Sequence, residues 1–234
     1  MNSAQSRRLA QEVADTWRRA AAGGLFYVVA WGVVGGYGGA FPRAPGISWT
    51  LLIAFLTLAI MRLLLRPPKE ADTGLRLRWL VLCWVIVMAS TAAWGAVFYW
   101  SMRDPAFEPA KIASLLATLG LATAFAHTFA FRLGWAALGI ALLYAPGLVV
   151  LWAESVNPAT PLVTTVYLIY VYVALLRSHA DYQHRLDVDQ GAALLMTSVG
   201  QARRLGIPED RWIYVWGCGD AADLWWITDR VNYY

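Results

Sequence analysis

Few side chains in this 234-residue chain can do chemistry, and most of them sit in apolar surroundings. His127 lies among Thr123 and Thr128, about one turn before Arg132. An imidazole placed so can bind a ligand or metal or sense protons, or it can be a neutral ring hydrogen-bonded to a neighbouring helix. In Tyr144-Ala145-Pro146-Gly147 a phenol precedes a proline, which removes a backbone donor and clashes with the turn before it. A kink is expected there, either shaping a ligand cavity or hinge, or only adjusting packing. His127, Tyr144 and Pro146 are therefore the ligand or sensing candidates. His179 and His184 stand five apart in a polar segment, a poor spacing for a metal pair. Cys83 lies in an apolar stretch far from Cys218, so no disulfide is expected. Cys218, in Trp216-Gly217-Cys218-Gly219-Asp220, has no base near it in sequence and is not read as a nucleophile. No catalytic residue, metal site or cofactor is assigned.

The elements that hold these residues are six apolar stretches, 21–41, 47–65, 79–101, 112–131, 134–152 and 161–176. Each is close to the roughly 17–25 residues a helix needs to cross ~30 Å of hydrocarbon; the last is short, but its helix can run on. Arg7, Arg8, Arg18, Arg19, Arg62, Arg66, Lys69, Arg76, Arg78, Arg132, Arg177 and Arg185 fall on one side of such a bundle, and only Arg43, Arg103 and Lys111 on the other. The bias puts both termini in the cytoplasm. Trp49, Trp79, Trp100 and Trp152 sit near span ends, at the level of lipid headgroups, while Trp31, Trp84 and Trp94 lie deeper and read as packing residues. Apolar residues make up 59% of the chain and charged ones 15%, which excludes an ordinary soluble domain. The net charge of +4 follows from the cytoplasmic anchors, so no nucleic-acid site is read into it. The first stretch lacks a small-residue cleavage site and is expected to be a retained span.

No Asp, Glu or Lys lies well inside a span, where ion-coupled transporters and pumps keep a buried ionisable group. Arg62 lies one turn from the end of the second span, and its long side chain can snorkel to the interface. Gly32-x-x-x-Gly36 and Gly35-x-x-x-Gly39 in the first span allow close helix approach, within the bundle or between two copies. The sixth span continues without a breaker through Arg177-Ser178-His179-Ala180-Asp181-Tyr182-Gln183-His184-Arg185-Leu186. Tyr172, Leu175, His179, Tyr182 and Leu186 recur at the spacing of a coiled-coil seam, which permits a homodimer through this helix. An amphipathic juxtamembrane tail is the other reading of the same residues.

With its six spans, its cytoplasmic ends and the exit Tyr170-Val171-Tyr172-Val173-Ala174-Leu175-Leu176-Arg177, the region from 1 to about 186 resembles the membrane input regions of bacterial sensor proteins. Those regions precede diguanylate cyclase or histidine kinase domains. The resemblance implies that Leu175, His179, Tyr182 and Leu186 belong to a helix that passes a signal to an output enzyme. Neither a Gly-Gly-(Asp/Glu)-Glu-Phe signature nor a kinase phospho-acceptor motif follows.

Instead come Val188-Asp189-Gln190-Gly191-Ala192-Ala193-Leu194-Leu195-Met196-Thr197-Ser198, a short amphipathic helix ended by Gly206 and Pro208, and Arg211-Trp212-Ile213-Tyr214-Val215-Trp216, which alternates like a strand. Through 188–198, 202–212 and 229–234 this tail resembles an internal piece of thiolase-like acetyl-CoA acetyltransferases. That family's cysteines and catalytic histidine belong to other parts of its fold, so no catalytic role carries over. A piece this small buries too little core to stand alone, so its Trp and Tyr residues pack on the cytoplasmic face of the bundle, associate with the membrane interface or leave the tail disordered, the interface being the preferred expectation.

The expected fold class is therefore all-α: a six-transmembrane-helix bundle, N-in/C-in, with a short cytoplasmic mixed α/β tail. Residues 1–20 form an amphipathic cytoplasmic segment, 21–176 the bundle, 177–190 a signalling-type helix and 191–234 the thiolase-like fragment. The expected function is a sensory input module of the inner (plasma) membrane, not an enzyme, whose partners are the lipid bilayer and an unidentified small molecule. The alternative is a membrane-tethered thiolase-related or acyl-CoA-binding subunit. A small transporter is disfavoured by the spans' lack of acidic residues.

Overall fold

The computed structural model describes residues 3–68, 73–155, 157–191 and 203–206, leaving aside the side chains of 3–8, 10–11 and 185–191. Among them every regular element is helical: α1 (Ser3–Ala20), α2 (Gly23–Tyr37), α3 (Ala40–Arg43), α4 (Pro45–Leu64), α5 (Thr73–Arg103), a 3-10 turn (Pro105–Ala110), α6 (Lys111–Thr128), α7 (Leu133–Glu154) and α8 (Ala159–Gly191). Six helical segments are long and apolar enough to cross a bilayer: Glu12–Tyr37, Pro45–Leu64, Thr73–Arg103, Pro105–Thr128, Leu133–Glu154 and Ala159–His184. This is the architecture of a multi-pass membrane protein. Phe26, Leu64, Ile112, Val149 and Val163 are exposed on its outside, where a soluble fold would place polar residues.

The chain divides into two compact units, Met1–Asp189 and Gln190–Tyr234. Of the second, the described residues are the last two of α8 and a turn at 203–206. There Gly206 takes a left-handed φ of 66° and donates its N–H to the Arg203 carbonyl at 3.1 Å. The expected strand at 211–216, Cys218 and the tail's aromatic residues lie outside the described residues.

Within the first unit α5 is the most enclosed helix, and its most extensive neighbour is α7. The reason is local. Pro146 has no N–H to offer the Leu142 carbonyl one turn back, and that oxygen meets α5 at Gly95 so closely that a methyl group there would overlap it. Only a glycine lets the two backbones come this near, with its Cα–H facing the carbonyl. Gly139 and Gly147 of α7 repeat the device, receiving the rings of Phe125 and Phe98 where a Cβ would stand. Across α2 and α4, Gly24 leaves 2.8 Å between a would-be Cβ and the Ala59 Cα. The core between these helices holds Trp31, Trp94, Tyr144, Phe55 and Phe98, all fully buried. Three polar pairs cross between helices here: Trp94 Nε1 donates to Thr118 Oγ1 at 2.9 Å, Ser101 and Ser114 hydroxyls meet at 2.6 Å, and Trp31 Nε1 donates to the Ser48 carbonyl at 3.0 Å.

Several sequence expectations are corrected. The first span ends at Tyr37, not at residue 41, because Gly39 turns left-handed (φ 59°) and starts α3. Gly39 therefore belongs to no α2 packing stripe. Gly32 and Gly36 are exposed and a Cβ added at either would meet nothing within 4 Å, whereas Gly35 packs under Trp31 and Phe41. The fourth span stops at Thr128, since Phe129, Ala130 and Phe131 turn inwards and are buried, both rings against Trp84. Trp79, near the start of its span, is packed against the protein, with its indole N–H on the Arg66 carbonyl at 3.0 Å.

Gly95→Ala is expected to lower stability by about 1–3 kcal/mol or more, because the obstacle is backbone and not a movable side chain. Gly32→Ala should change it by less than about 0.5 kcal/mol. Thermal unfolding of the two variants in one detergent checks both; equal melting temperatures would remove Gly95 as the contact that sets the α5–α7 distance.

Candidate functional site

At the end of the bundle that carries Arg19, Arg62 and Arg132, α1 connects the span ends to one another. Its Val13, Thr16 and Ala20, three and four apart, form a buried stripe, and α1 packs against α5. The neighbouring face is left with Glu12, Asp15 and Arg19, which reach the α6–α7 turn and α8. Glu12 pairs with Arg132 in that turn. Arg19 donates to the Thr128 carbonyl at 3.3 Å, and its guanidinium lies 5.5 Å from the ring centre of Phe131 and 5.7 Å from that of Tyr182. Tyr182 in turn donates its hydroxyl to Asp15 Oδ2 at 3.1 Å. One step further back, His179 Nδ1 lies 2.6 Å from the Ala130 carbonyl. A carbonyl only accepts, so this nitrogen carries the proton. His127 Nδ1 meets Ser178 Oγ at 3.0 Å. The result is a polar tie that joins α1, α6, the α6–α7 turn and the part of α8 that leaves the bundle.

The same contacts correct the reading of α8 as a free coiled-coil seam. Tyr172 donates to the Ala137 carbonyl at 3.1 Å, Leu175 is fully buried, and His179 and Tyr182 are engaged as described. Four of the five seam residues thus face their own bundle, and a two-stranded coil through them would have to break these contacts. The side chain of Leu186 lies outside the described residues.

His127, Tyr144 and Pro146 are not brought together. His127 serves the tie at the end of α6. Tyr144 is fully buried midway along α7, edge-on to Phe98, and donates to the Thr164 carbonyl of α8 at 2.8 Å. Pro146 lies against α5 beside Gly95, and α7 runs unbroken through it. Tyr144 is thus a strut between α7 and α8, not a wall of an open cavity. Cys83 is a buried free thiol, and among the described residues no group of His, Cys, Asp and Glu could hold a metal ion.

The residue that sequence reasoning placed wrongly is Arg62. It does not snorkel: only 6% of it is exposed. Its guanidinium lies 5.7 Å from the ring centre of Tyr27, and Nη2 donates to the Val87 carbonyl at 3.3 Å. Its Nε is buried with no hydrogen-bond partner, and among the described residues no carboxylate pairs with it. The sequence signal was an arginine inside the second span, one turn from its end, where a long side chain can point either way.

The opposite end is closed by further arginine–carboxylate pairs. Arg43 pairs with Asp104 at 3.2 Å and lies over Phe107, while Arg103 reaches Glu154 at 3.7 Å. The Ala106 amide, and then Arg43, hold the Asp104 carboxyl below the usual carboxylate range.

Comparison of the chain with protein-family models, with curated proteins and with solved structures finds no match. The functional reading accordingly rests on the chain's own geometry.

Tyr182→Phe should free the exit of α8 from α1 at a cost of about 1 kcal/mol, the size of one partly exposed hydrogen bond to a carboxylate. Amide hydrogen exchange over residues 177–189 is then expected to quicken severalfold, with the amides of α5 unchanged. Exchange that stays at the wild-type rate would show that the tie does not hold α8.

Proposed function

We propose that this chain is a sensory input module of a membrane, in which α8 carries the state of the bundle to the side where it emerges. The observation that carries this reading is α8 itself. It is one helix of 33 residues, well beyond the roughly 20 that a bilayer needs. Along its length it is bonded to α6 through Tyr167 and Thr123 at 2.7 Å, to α7 through Tyr144 and Tyr172, and to α1 through Tyr182. A shift in the packing of any of these helices therefore changes contacts at the exit of α8. Coupling of this kind needs two packings of similar free energy and a stimulus that prefers one of them. The reading assigns no reaction to the chain.

The distribution of Lys and Arg supports an orientation with both termini in the cytoplasm of a bacterium, the bundle lying in its inner membrane. A fluorescent protein fused after Tyr234 should then fluoresce, and alkaline phosphatase at the same place should be inactive. The reverse result would invert the topology and place the exit of α8 outside the cell.

Spin labels at the exposed positions 18 on α1 and 180 on α8 test the coupling in the full chain. Between nanodiscs of short-chain and long-chain phosphatidylcholine the distance distribution should change in relative population, because thickness biases helix tilt. One unchanging distance in both, together with saturable binding of coenzyme A, would favour the acyl-CoA-binding alternative.

A further inference from the structure

Beside the tie, between α2 and α6, lies a cavity of about 510 Å³. Its chemistry is graded along its length. At the end where α2 begins and α6 ends it is lined by Arg19, Arg62 and Thr128; further along both helices the lining is apolar, as at Ala30, Ala117 and Leu121. Phe26 and Val29 are exposed on its rim, on the outside of the bundle that lipid would cover.

An arginine buried here without a carboxylate is expensive, and it persists where an anion or a dense set of acceptors completes it. Arg62 has one carbonyl and one aromatic face, and its Nε is unsatisfied. Arg19 adds a second positive charge to the same end. Charge at one end and apolar walls beyond it are complementary to an amphiphile with an anionic head. At the ~30 Å³ that a water-sized group takes up, the space corresponds to roughly 17 methylene-sized groups, the scale of one long acyl chain.

We propose that this cavity is a binding site for a long-chain fatty acid, entering from the bilayer, with its carboxylate held by Arg62 and Arg19 and its chain lying between α2 and α6. The two guanidinium groups offer donors suited to a carboxylate, which strengthens the contact as water is excluded. The site stands apart from the sensory reading, since its occupancy is measured without reference to α8.

The test uses the full-length protein in phosphatidylcholine nanodiscs with a fatty acid carrying a chain diazirine and a terminal alkyne. Photolabelling is expected on peptides of α2 and α6, displaced by palmitic acid but not by hexadecanol, which has the same chain and no charge. Gly120 lines the cavity, and a Cβ added there meets no atom within 4 Å. Gly120→Phe should therefore keep the wild-type melting temperature and lose labelling about tenfold or more. Arg62→Gln should abolish the preference for acid over alcohol. Labelling unchanged in Gly120→Phe, or equal displacement by hexadecanol, would overturn the proposal. So would displacement by phosphatidylglycerol as effective as that by palmitic acid, which would assign the cleft to a two-chain phospholipid.

Discussion

Inside hydrocarbon a carbonyl that loses its helical donor has no water to turn to, and the arrangement of this bundle follows from where such a group goes. Leu142 is deprived of its partner by Pro146, and its oxygen is directed at Gly95, a position in the middle of α5 with no side chain. Because α5 is the most enclosed helix, that contact sets how deeply α7 sits, and hence where Tyr144 stands between Phe98 and α8. The glycines at 139 and 147 extend the same close approach by receiving rings. Neither long helix owes its position to apolar attraction, since lipid would cover the same surface as well as a neighbouring helix does.

Polar pairs then lock the remaining helices in register. Ser101 with Ser114 and Trp94 with Thr118 join α5 to α6, and Thr123 with Tyr167 joins α6 to α8. Each such bond contributes only about 0.6–2 kcal/mol, but each also specifies a position along the helix that apolar packing leaves free. The amphipathic α1 completes the arrangement at one end, where charged and aromatic groups replace hydroxyls. Arg19 sits at the junction: it stacks on Tyr182 in the tie and also lines the cavity that holds Arg62.

Much of this was legible in the residues. The expected spans match the helices to within a few residues at most ends, since length and hydropathy suffice to recognise a segment that can cross a bilayer. The exceptions have visible causes. The first span ends early at a left-handed glycine, and the fourth ends early because two phenylalanines prefer the rings around Trp84 to lipid. Trp31, Trp84 and Trp94 were recognisable as packing residues from their depth alone, and they are buried. The spacing of Tyr172, Leu175, His179 and Tyr182 identified a common face correctly but not what covers it, because a seam looks the same whether a second chain or the chain's own bundle lies against it.

Hydropathy and periodicity determined by themselves that the chain makes helices long and apolar enough to span a membrane, roughly where these lie, and which side of each row of loops is basic. They act within one segment and need no neighbour. Tertiary structure alone decided which glycines admit a partner helix, that Gly32 and Gly36 face outwards, and that Arg62 turns into the protein to meet Tyr27 and Val87. Those outcomes depend on the rotation of each helix about its axis. In a bilayer that rotation is set by contacts between segments far apart in sequence, and not by apolarity that is nearly the same on every face.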